Sequence, residues 1–153
     1  MADIIMFTDG AATGNPGPGG YGVVLISGQF RKELCGGFRL TTNNRMELLA
    51  VIKGLEALKQ TGNNVTIYSD SKYVVDSIEK RWVNSWVAKG FKDKKNPDLW
   101  KRYLDLASKQ NIKLVWIKGH ANIKENERCD ILATSAAAQP NLPIDEYYER
   151  FND

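Results

Sequence analysis

The fold of this chain is decided near its start by the stretch Ile4-Ile5-Met6-Phe7-Thr8-Asp9-Gly10-Ala11-Ala12-Thr13-Gly14-Asn15-Pro16-Gly17-Pro18-Gly19-Gly20-Tyr21-Gly22. A short apolar run followed by a loop rich in Gly and Pro is typical of a buried central strand. Aspartate is seldom buried without a partner, so Asp9 predicts either a cap for the turn or a functional carboxylate. This stretch alone leaves both interpretations open.

Length and composition indicate one globular domain. The chain has 153 residues, of which 42% are hydrophobic and 25% charged, enough to build a sizeable core. No run approaches the ~18 apolar residues of a membrane span, and the N-terminus has no secretory signal pattern. Cys35 and Cys129 match no metal or redox spacing, which predicts free thiols. We therefore expect a cytoplasmic protein that makes no membrane contact.

Apolar periodicity and turn signals predict a mixed α/β domain without a linker. The strands are predicted over 3–9, 20–27, 30–40, 65–68 and 113–117. The helices are predicted over 44–60, 71–79, 99–109 and 125–138. The first three strands form an antiparallel meander, and the crossover that follows predicts parallel pairing between 65–68 and the first strand. The acidic segment 144–153 fits either a loose amphipathic turn or a frayed end.

Four acids recur at comparable places, near the ends or starts of predicted elements. They are Asp9, Glu47, Asp70 and Asp130. Ligands gather beyond the carboxyl ends of parallel strands, where Asp9 and Asp70 lie close together. Neighbouring carboxylates repel each other unless a cation lies between them, and Mg²⁺ or Mn²⁺ is suited to oxygen ligands.

Each of these residues also has a simpler interpretation. Glu47 lies three residues after Asn44, which is the spacing of a capping box. Asp70 fits an N-cap of the next helix, and Asp130 belongs to a charged run. His120 is the only histidine and is no natural Mg²⁺ ligand, yet an imidazole can carry a proton at neutral pH. Taken singly, none of the four acids identifies a catalytic site, and neither does His120.

Positive charge is concentrated in one segment. The net charge of the chain is +3, but residues 80–102 hold eight cationic and two acidic side chains. Aromatic residues interleave with these cations at Trp82, Trp86 and Phe91, a pattern that favours a surface for a polyanionic backbone over a merely solvated one. Because Trp82 and Trp86 are spaced i, i+4, we expect one of the two to pack in the core.

The motifs together resemble bacterial-type cellular ribonuclease H (ribonuclease HI). The matching runs are Phe7-Thr8-Asp9-Gly10, Gly14-Asn15-Pro16-Gly17-Pro18-Gly19-Gly20, Thr41-Thr42-Asn43-Asn44-Arg45-Met46-Glu47-Leu48, Tyr68-Ser69-Asp70-Ser71, Asp98-Leu99-Trp100, Lys118-Gly119-His120-Ala121 and Asn126-Glu127-Arg128-Cys129-Asp130. They occur in the family's order and cover residues 3–138. The resemblance implies a ribonuclease H-like fold with a five-stranded mixed sheet flanked by helices. It also implies a catalytic domain over 1–138, with the basic protrusion 80–98 inserted and a C-terminal tail over 139–153.

The resemblance further implies an endonuclease that cuts the RNA strand of RNA–DNA hybrids, leaving 5′-phosphate and 3′-hydroxyl ends. Asp9, Glu47, Asp70 and Asp130 would hold two Mg²⁺ ions, with Mn²⁺ as a substitute, and Asp9 would bridge both. One ion would activate the attacking water and the other would stabilise the leaving oxygen. His120 would assist proton transfer or product release, and the enzyme would be a monomer.

Further residues match family positions that contact the hybrid. The predicted substrate-binding residues are Asn15, Thr42, Asn43, Asn44, Ser71, Lys72, Trp82, Trp86, Lys89 and Phe91. The protrusion departs from the common pattern, because it is shortened between Phe91 and Asp98 and has Val87-Ala88 where basic residues are frequent. Fewer phosphate contacts would weaken binding and reduce its salt dependence. Lys72, where Gln is frequent, would restore one contact.

Two kinds of alternative share this fold, a binding module without catalysis and a related nuclease. A non-catalytic module that binds hybrids or double-stranded RNA would share this fold, but it would be expected to have lost one of the four carboxylates. A junction resolvase or a polymerase-linked nuclease domain shares the fold as well. The His120 loop and the basic insertion argue against the resolvase, and the lack of an extra domain argues against the linked form.

Overall fold

The computed structural model describes residues 2–151 and places five strands and six helices among them. The strands are β1 (Asp3–Ala12), β2 (Gly17–Ser27), β3 (Phe30–Thr41), β4 (Asn64–Ser69) and β5 (Asn111–Trp116). The helices are α1 (Asn43–Glu56), α2 (Lys72–Glu79), α3 (Trp82–Ala88), α4 (Pro97–Ala107), α5 (Lys124–Ala137) and α6 (Glu146–Phe151).

The strands form one mixed sheet in the order β3-β2-β1-β4-β5. β1, β2 and β3 pair antiparallel, whereas β4 pairs in parallel with β1 and with β5. The predicted meander, the parallel crossover and the five-stranded mixed sheet flanked by helices are therefore confirmed. The crossover places the carboxyl ends of β1 and β4 side by side, which is where the acids were expected to meet.

Helices cover both faces of the sheet. Successive residues of a strand point to opposite faces of the sheet. In β2, Val23 points towards α1 and its neighbour Gly22 towards α5. Val23 is fully buried and its side chain approaches Gly54 of α1. Gly22 faces α5, and a Cβ atom there would overlap the carbonyl oxygen of Cys129. The absence of a side chain at Gly22 thus allows α5 to lie directly on the strand.

The main core lies between the sheet and α1. The side chains of α1 from Met46 to Ile52 are almost entirely buried, and they pack with Met6, Ile67 and Trp100 among others. α1 ends at Glu56, four residues before the predicted end at 60. The reason is that residues 59–61 are exposed, so they gain no core contacts that would hold another helical turn.

The C-terminal tail contains a helix that packs on the domain. α6 lies against β3, with Tyr148 buried and Glu149 paired with Arg39 at 2.8 Å. The tail is therefore more ordered than a loose turn or a frayed end through Phe151; residues 152–153 lie outside the described part. The division of the chain at 138 stays a prediction. Among residues 2–151, no helix combines the length and the apolar character that crossing a membrane requires.

Candidate active site

The structure brings three of the four predicted acids together. Carboxylate oxygens of Asp9, Glu47 and Asp70 all lie within 4.8 Å of one another. The register explains the meeting of the two aspartates, because the last parallel pair of β1 and β4 is Thr8 with Ser69, and each acid is the next residue. Glu47 reaches the same point from α1.

Local capping does not account for these acids. Thr42 is the N-cap of α1 and its hydroxyl accepts from the Arg45 amide at 3.2 Å. Glu47 therefore lies in the second helical turn, and not at the capping-box position that its spacing from Asn44 suggested. Ser71 caps α2 in the same way, by accepting from the Val74 amide at 3.2 Å. Asp9 is not at the end of its strand, since β1 continues to Ala12. The simpler interpretations of Asp9, Glu47 and Asp70 are thus removed.

Gly10 allows α1 to approach β1 closely at this point. A Cβ atom on Gly10 would overlap the backbone nitrogen of Glu47 and the carbonyl carbon of Met46, and it would lie 2.8 Å from the Glu47 Cα. Side chains cannot share that space, so the second turn of α1 rests on the backbone of β1. This contact sets how far Glu47 lies from Asp9.

Burial and mutual repulsion strongly favour protonation of the cluster. Asp9 is 5% exposed, and burial together with the charge of Asp70 raises its pKa to about 7, despite hydrogen bonds from Glu47 and from the Gly10 amide. Burial and the charges of Asp9 and Asp70 raise the pKa of Glu47 well above its usual value. The pKa of Asp70 is raised as well, by burial and by the charge of Asp130. A cation at this place would relieve the repulsion.

The residues of the cluster fit a divalent metal ion. Glu47 Oε1 is buried and finds no hydrogen-bond partner among residues 2–151. Such an atom loses its hydration without compensation unless a ligand restores it. Three carboxylates offer only oxygen donors, which suit Mg²⁺ or Mn²⁺ and not a soft metal.

Asp130 and His120 lie at the border of this cluster. The negative charge of Asp130, on α5, raises the pKa of both Asp9 and Asp70, so it lies within electrostatic range of the cluster without joining the tight group of three. The role of Asp130 as a metal ligand stays a prediction. His120 is exposed, in a loop where its own φ is 57° and that of Asn122 is 62°. Its charge acts on Asp70, so an exposed imidazole borders the cluster.

A groove of about 530 Å³ runs beside α1 and contains five of the predicted substrate contacts. Its predicted members are Asn15, Thr42, Asn44, Trp82 and Trp86. The side chain of Asn15 accepts from the amide of Asn43 at 2.9 Å, which ties the loop after β1 to the start of α1. Lys94 and Lys95 supply positive charge on the protrusion side of the groove. Neutral polar residues therefore line the wall formed by α1 and the loop after β1, whereas the protrusion wall carries these two cations and one acid, Asp93.

The aromatic residues of the protrusion divide between surface and core. Trp82 is 45% exposed with Lys80 over its ring at 5.3 Å, whereas Trp86 is half-buried and packs edge-on against Trp100 at 5.8 Å. One of the two thus joins the core, as predicted. Phe91 is buried in the core, so its expected place on the substrate surface is corrected. Its backbone has φ 60°, and Lys101 lies over its ring at 5.7 Å.

Three more of the predicted contacts are not among the residues that line the groove. Ser71 is buried and its hydroxyl is engaged in capping α2. Lys72 is exposed, with its ammonium over the ring of Trp116 at 4.8 Å. Lys89 is exposed at the end of α3. The substrate roles of all three stay predictions.

Sequence reasoning missed several residues that shape the site. Trp116 donates its indole N–H to the carbonyl oxygen of Asp70 at 3.2 Å, and an aromatic residue at a strand end was the available signal. Tyr73, Asn96 and Tyr148 line the groove. No local pattern distinguishes these three from ordinary core or loop residues. Gly10 was noted only as part of a motif.

Comparisons with known proteins bear on the family and on the fold. The RNase H family model matches residues 1–138. A ribonuclease H of Desulforamulus reducens is 59% identical over 150 residues, which is 95% of this chain and 94% of the relative. A ribonuclease H of Syntrophus aciditrophicus is 58% identical over 150 residues, 95% of this chain and 86% of the relative.

Solved structures give the same result. LC9-RNase H1, a type 1 RNase H with the type 2 active-site motif, has a TM-score of 0.79 and 29% identity, covering 98% of this chain and 80% of that one. LC11-RNase H1 in complex with an RNA/DNA hybrid has a TM-score of 0.65 and 27% identity, covering 88% of this chain and 96% of that one.

The fold, the acidic cluster and these relatives define the class of protein as a nuclease. The chain belongs to the ribonuclease H family. The enzyme class and the ribonuclease H-like fold inferred from the sequence are confirmed.

The raised pKa values predict that protons compete with the metal. Because the pKa of Asp9 is about 7, metal binding must displace a proton below that pH. We expect the affinity for Mg²⁺ to fall by up to about tenfold per pH unit between pH 7 and 6 for each proton that the metal displaces. Calorimetric titrations in two buffers of different ionisation enthalpy would count the protons released. Equal affinity at pH 6 and pH 8 would contradict the prediction.

Proposed function

We propose that this enzyme hydrolyses the RNA strand of RNA–DNA hybrids with Mg²⁺, leaving 5′-phosphate and 3′-hydroxyl ends. The observation that carries the proposal is a cluster of two buried carboxylates and one half-buried carboxylate. One of them, Glu47, lies on α1, and the start of the same helix contributes Thr42 and Asn44 to a groove that also holds cationic and aromatic side chains. Support also comes from a structural relative described in complex with an RNA/DNA hybrid.

The four acids would hold two Mg²⁺ ions, with Asp9 shared between them and Asp130 completing the set. Bound metal in such a site supplies an activated water and stabilises the charge that develops on the phosphodiester oxygens. The chain's own part is to keep the carboxylates together against their repulsion. β1, β4 and α1 do this, and the contact at Gly10 sets the spacing.

The groove would bind the hybrid through its backbone. Thr42 and Asn44 carry side-chain groups that are suitable partners for phosphate or sugar oxygens, and phosphate contacts position a duplex without reading its sequence. RNA is distinguished from DNA through its 2′-hydroxyl and through the width of the shallow minor groove. The enzyme would therefore have little sequence preference. On its resemblance to the family, it would be a monomer.

His120 would carry a proton at the edge of the site. The residue is exposed and its backbone is left-handed, so the imidazole can reach a substrate without displacing core residues. We expect His120→Ala to lower kcat by about 10²-fold, within the range for lost acid–base assistance, and to leave the affinity for hybrid unchanged. The pH–rate profiles of both forms test this. Identical profiles would remove His120 from the mechanism.

One assay separates the proposed function from its alternatives. The protein is incubated with end-labelled RNA–DNA hybrid, duplex RNA and duplex DNA, each with Mg²⁺ and with chelator. Cleavage of hybrid RNA alone, dependent on Mg²⁺, supports the proposal, and comigration with marker ladders identifies the ends. Retention of hybrid without cleavage would indicate instead the non-catalytic binding module.

A further inference from the structure

The C-terminal tail and the substrate groove are joined through one buried arginine. Arg45 is 3% exposed and lies between Thr42 and Glu47 on α1. Its guanidinium donates to both carboxylate oxygens of Asp145 at 2.8 and 3.0 Å, and to both of Asp98 at 2.9 and 2.8 Å. The ring of Tyr147 lies 5.4 Å from its central carbon. The tail, α1 and the start of α4 thus meet at a single side chain.

Asp145 is held rigidly at this junction. It is 6% exposed, and besides Arg45 it accepts from the hydroxyl of Thr41 at 2.7 Å and from the amide of Tyr148 at 3.3 Å. The first partner, Thr41, directly precedes the N-cap of α1, and the second, Tyr148, lies in the first turn of α6. A carboxylate with this set of donors fixes both segments relative to each other.

The same junction adjoins the wall of the groove. Arg45 donates to Asn96 Oδ1 at 3.3 Å, and the amide of Asn96 donates to the hydroxyl of Tyr73 at 3.0 Å. Asn96 and Tyr73 both line the groove, and Tyr148 of α6 lines it as well. Thr42 and Asn44, which flank Arg45 closely in sequence, line it too. A shift of the tail therefore moves groove residues on α1 and on the protrusion.

A role in stability alone explains this arrangement less well. Burying an ion pair often contributes little compared with apolar residues of similar volume, because both ions lose their hydration. Such pairs are better suited to fixing one geometry. Here the geometry that is fixed is the relative position of the two groove walls.

We infer that the C-terminal helix is a positioning element for substrate binding, with Asp145 as the residue that transmits its position through Arg45 to the groove. The inference rests on the proposed function, since the groove is taken to bind the hybrid. The tail thus has a part in affinity and not in the chemical step, because none of its described residues, 139–151, joins the acidic cluster.

The decisive variant is D145N, compared with E149Q on α6, the helix that follows Asp145. Both changes remove one negative charge, and electrostatics alone would leave the binding of a polyanion unchanged or make it tighter. Glu149 pairs with the exposed Arg39 and does not line the groove. If Asp145 positions the groove, D145N instead weakens binding by about tenfold, as expected for one well-placed bond to a phosphate, while E149Q does not weaken it.

Binding is measured by fluorescence anisotropy with labelled hybrid in chelator, and turnover is measured with Mg²⁺, both well below the melting temperature of each variant. D145N should raise Kd and KM, keep kcat close to that of the unmodified protein, and keep the slope of log Kd against log salt, since no cation that contacts phosphate is removed. T41V removes one bond to Asp145 but keeps the ion pair, so it should show a smaller shift in the same direction. If D145N does not fold, the Kd and KM of T41V are used to test the inference instead.

Unchanged Kd and KM in a folded variant that has lost the Asp145 contact would overturn the inference. A loss of kcat with unchanged KM would overturn it as well. Failure of the proposed function can be distinguished from failure of this inference, because in that case the unmodified protein would not cleave the hybrid at all.

Discussion

Asp9→Asn is expected to abolish hybrid cleavage and to stabilise the metal-free protein. The variant removes one of three carboxylates whose oxygens lie within 4.8 Å of one another, and with it the group proposed to be shared between two ions. Loss of metal-assisted stabilisation of the transition state lowers kcat by about a thousandfold or more. Affinity for the hybrid in chelator should change little, because Asp9 is 5% exposed and does not line the groove.

The gain in stability follows from the sign of the pKa shift. The pKa of Asp9 is raised from 3.8 to about 7 in the folded protein, so ionisation of Asp9 destabilises the fold. This loss of stability grows as the pH rises from 3.8 to about 7 and is constant at higher pH. Asn carries no charge at any of these pH values. At pH 8 in chelator, Asp9→Asn should therefore be more stable by about 4 kcal/mol, roughly 10 °C in Tm, and the difference should shrink towards pH 5.

Asp105→Asn provides the matched control for that experiment. Its side chain is 75% exposed and pairs only loosely with Lys109 at 3.7 Å. It should change neither activity nor Tm beyond about 0.5 kcal/mol. Substantial cleavage by Asp9→Asn would remove Asp9 from the metal site. A Tm difference independent of pH would show that its effect on stability does not come from titration.

The sequence predicted the parts of the site that depend on neighbouring strands. Asp9 and Asp70 each follow a short apolar run, and the crossover between these runs requires parallel pairing, so their meeting could be foreseen. Glu47 could be placed on its helix but not in its turn, because Thr42 and Asn44 are both acceptable caps. Only the observed bond from Arg45 to Thr42 identifies the cap and moves Glu47 to the second turn.

What could not be predicted depends on contacts that are distant in sequence or on backbone geometry. Arg45 and Asp145 are 100 positions apart in the sequence, so no local pattern predicts that the tail packs against the start of α1. Phe91 stands among lysines, and that pattern is the same for a surface aromatic and a buried one. Its position in the core accompanies a left-handed backbone, which sequence rules do not anticipate for Phe.

Gly10→Ala is expected to damage both stability and catalysis, although the change adds a single methyl group. That group would overlap the backbone of Met46 and Glu47, which cannot rotate away as a side chain could. α1 must move away from β1, at a cost of about 1–3 kcal/mol of the free energy of unfolding. The same movement separates Glu47 from Asp9, and a displacement of about 1 Å in a catalytic group can lower the rate by about a hundredfold.

Gly28→Ala separates this effect from ordinary backbone strain. Gly28 lies in the turn between β2 and β3 at φ +60°, and a Cβ atom there would meet nothing within 4 Å. The change should cost about 1 kcal/mol through strain, with full activity per folded molecule. Gly10→Ala should differ from it in weaker Mg²⁺ binding by calorimetry and in lower kcat. Normal metal affinity and turnover in folded Gly10→Ala would mean that the close contact of α1 with β1 does not set the geometry of the acidic cluster.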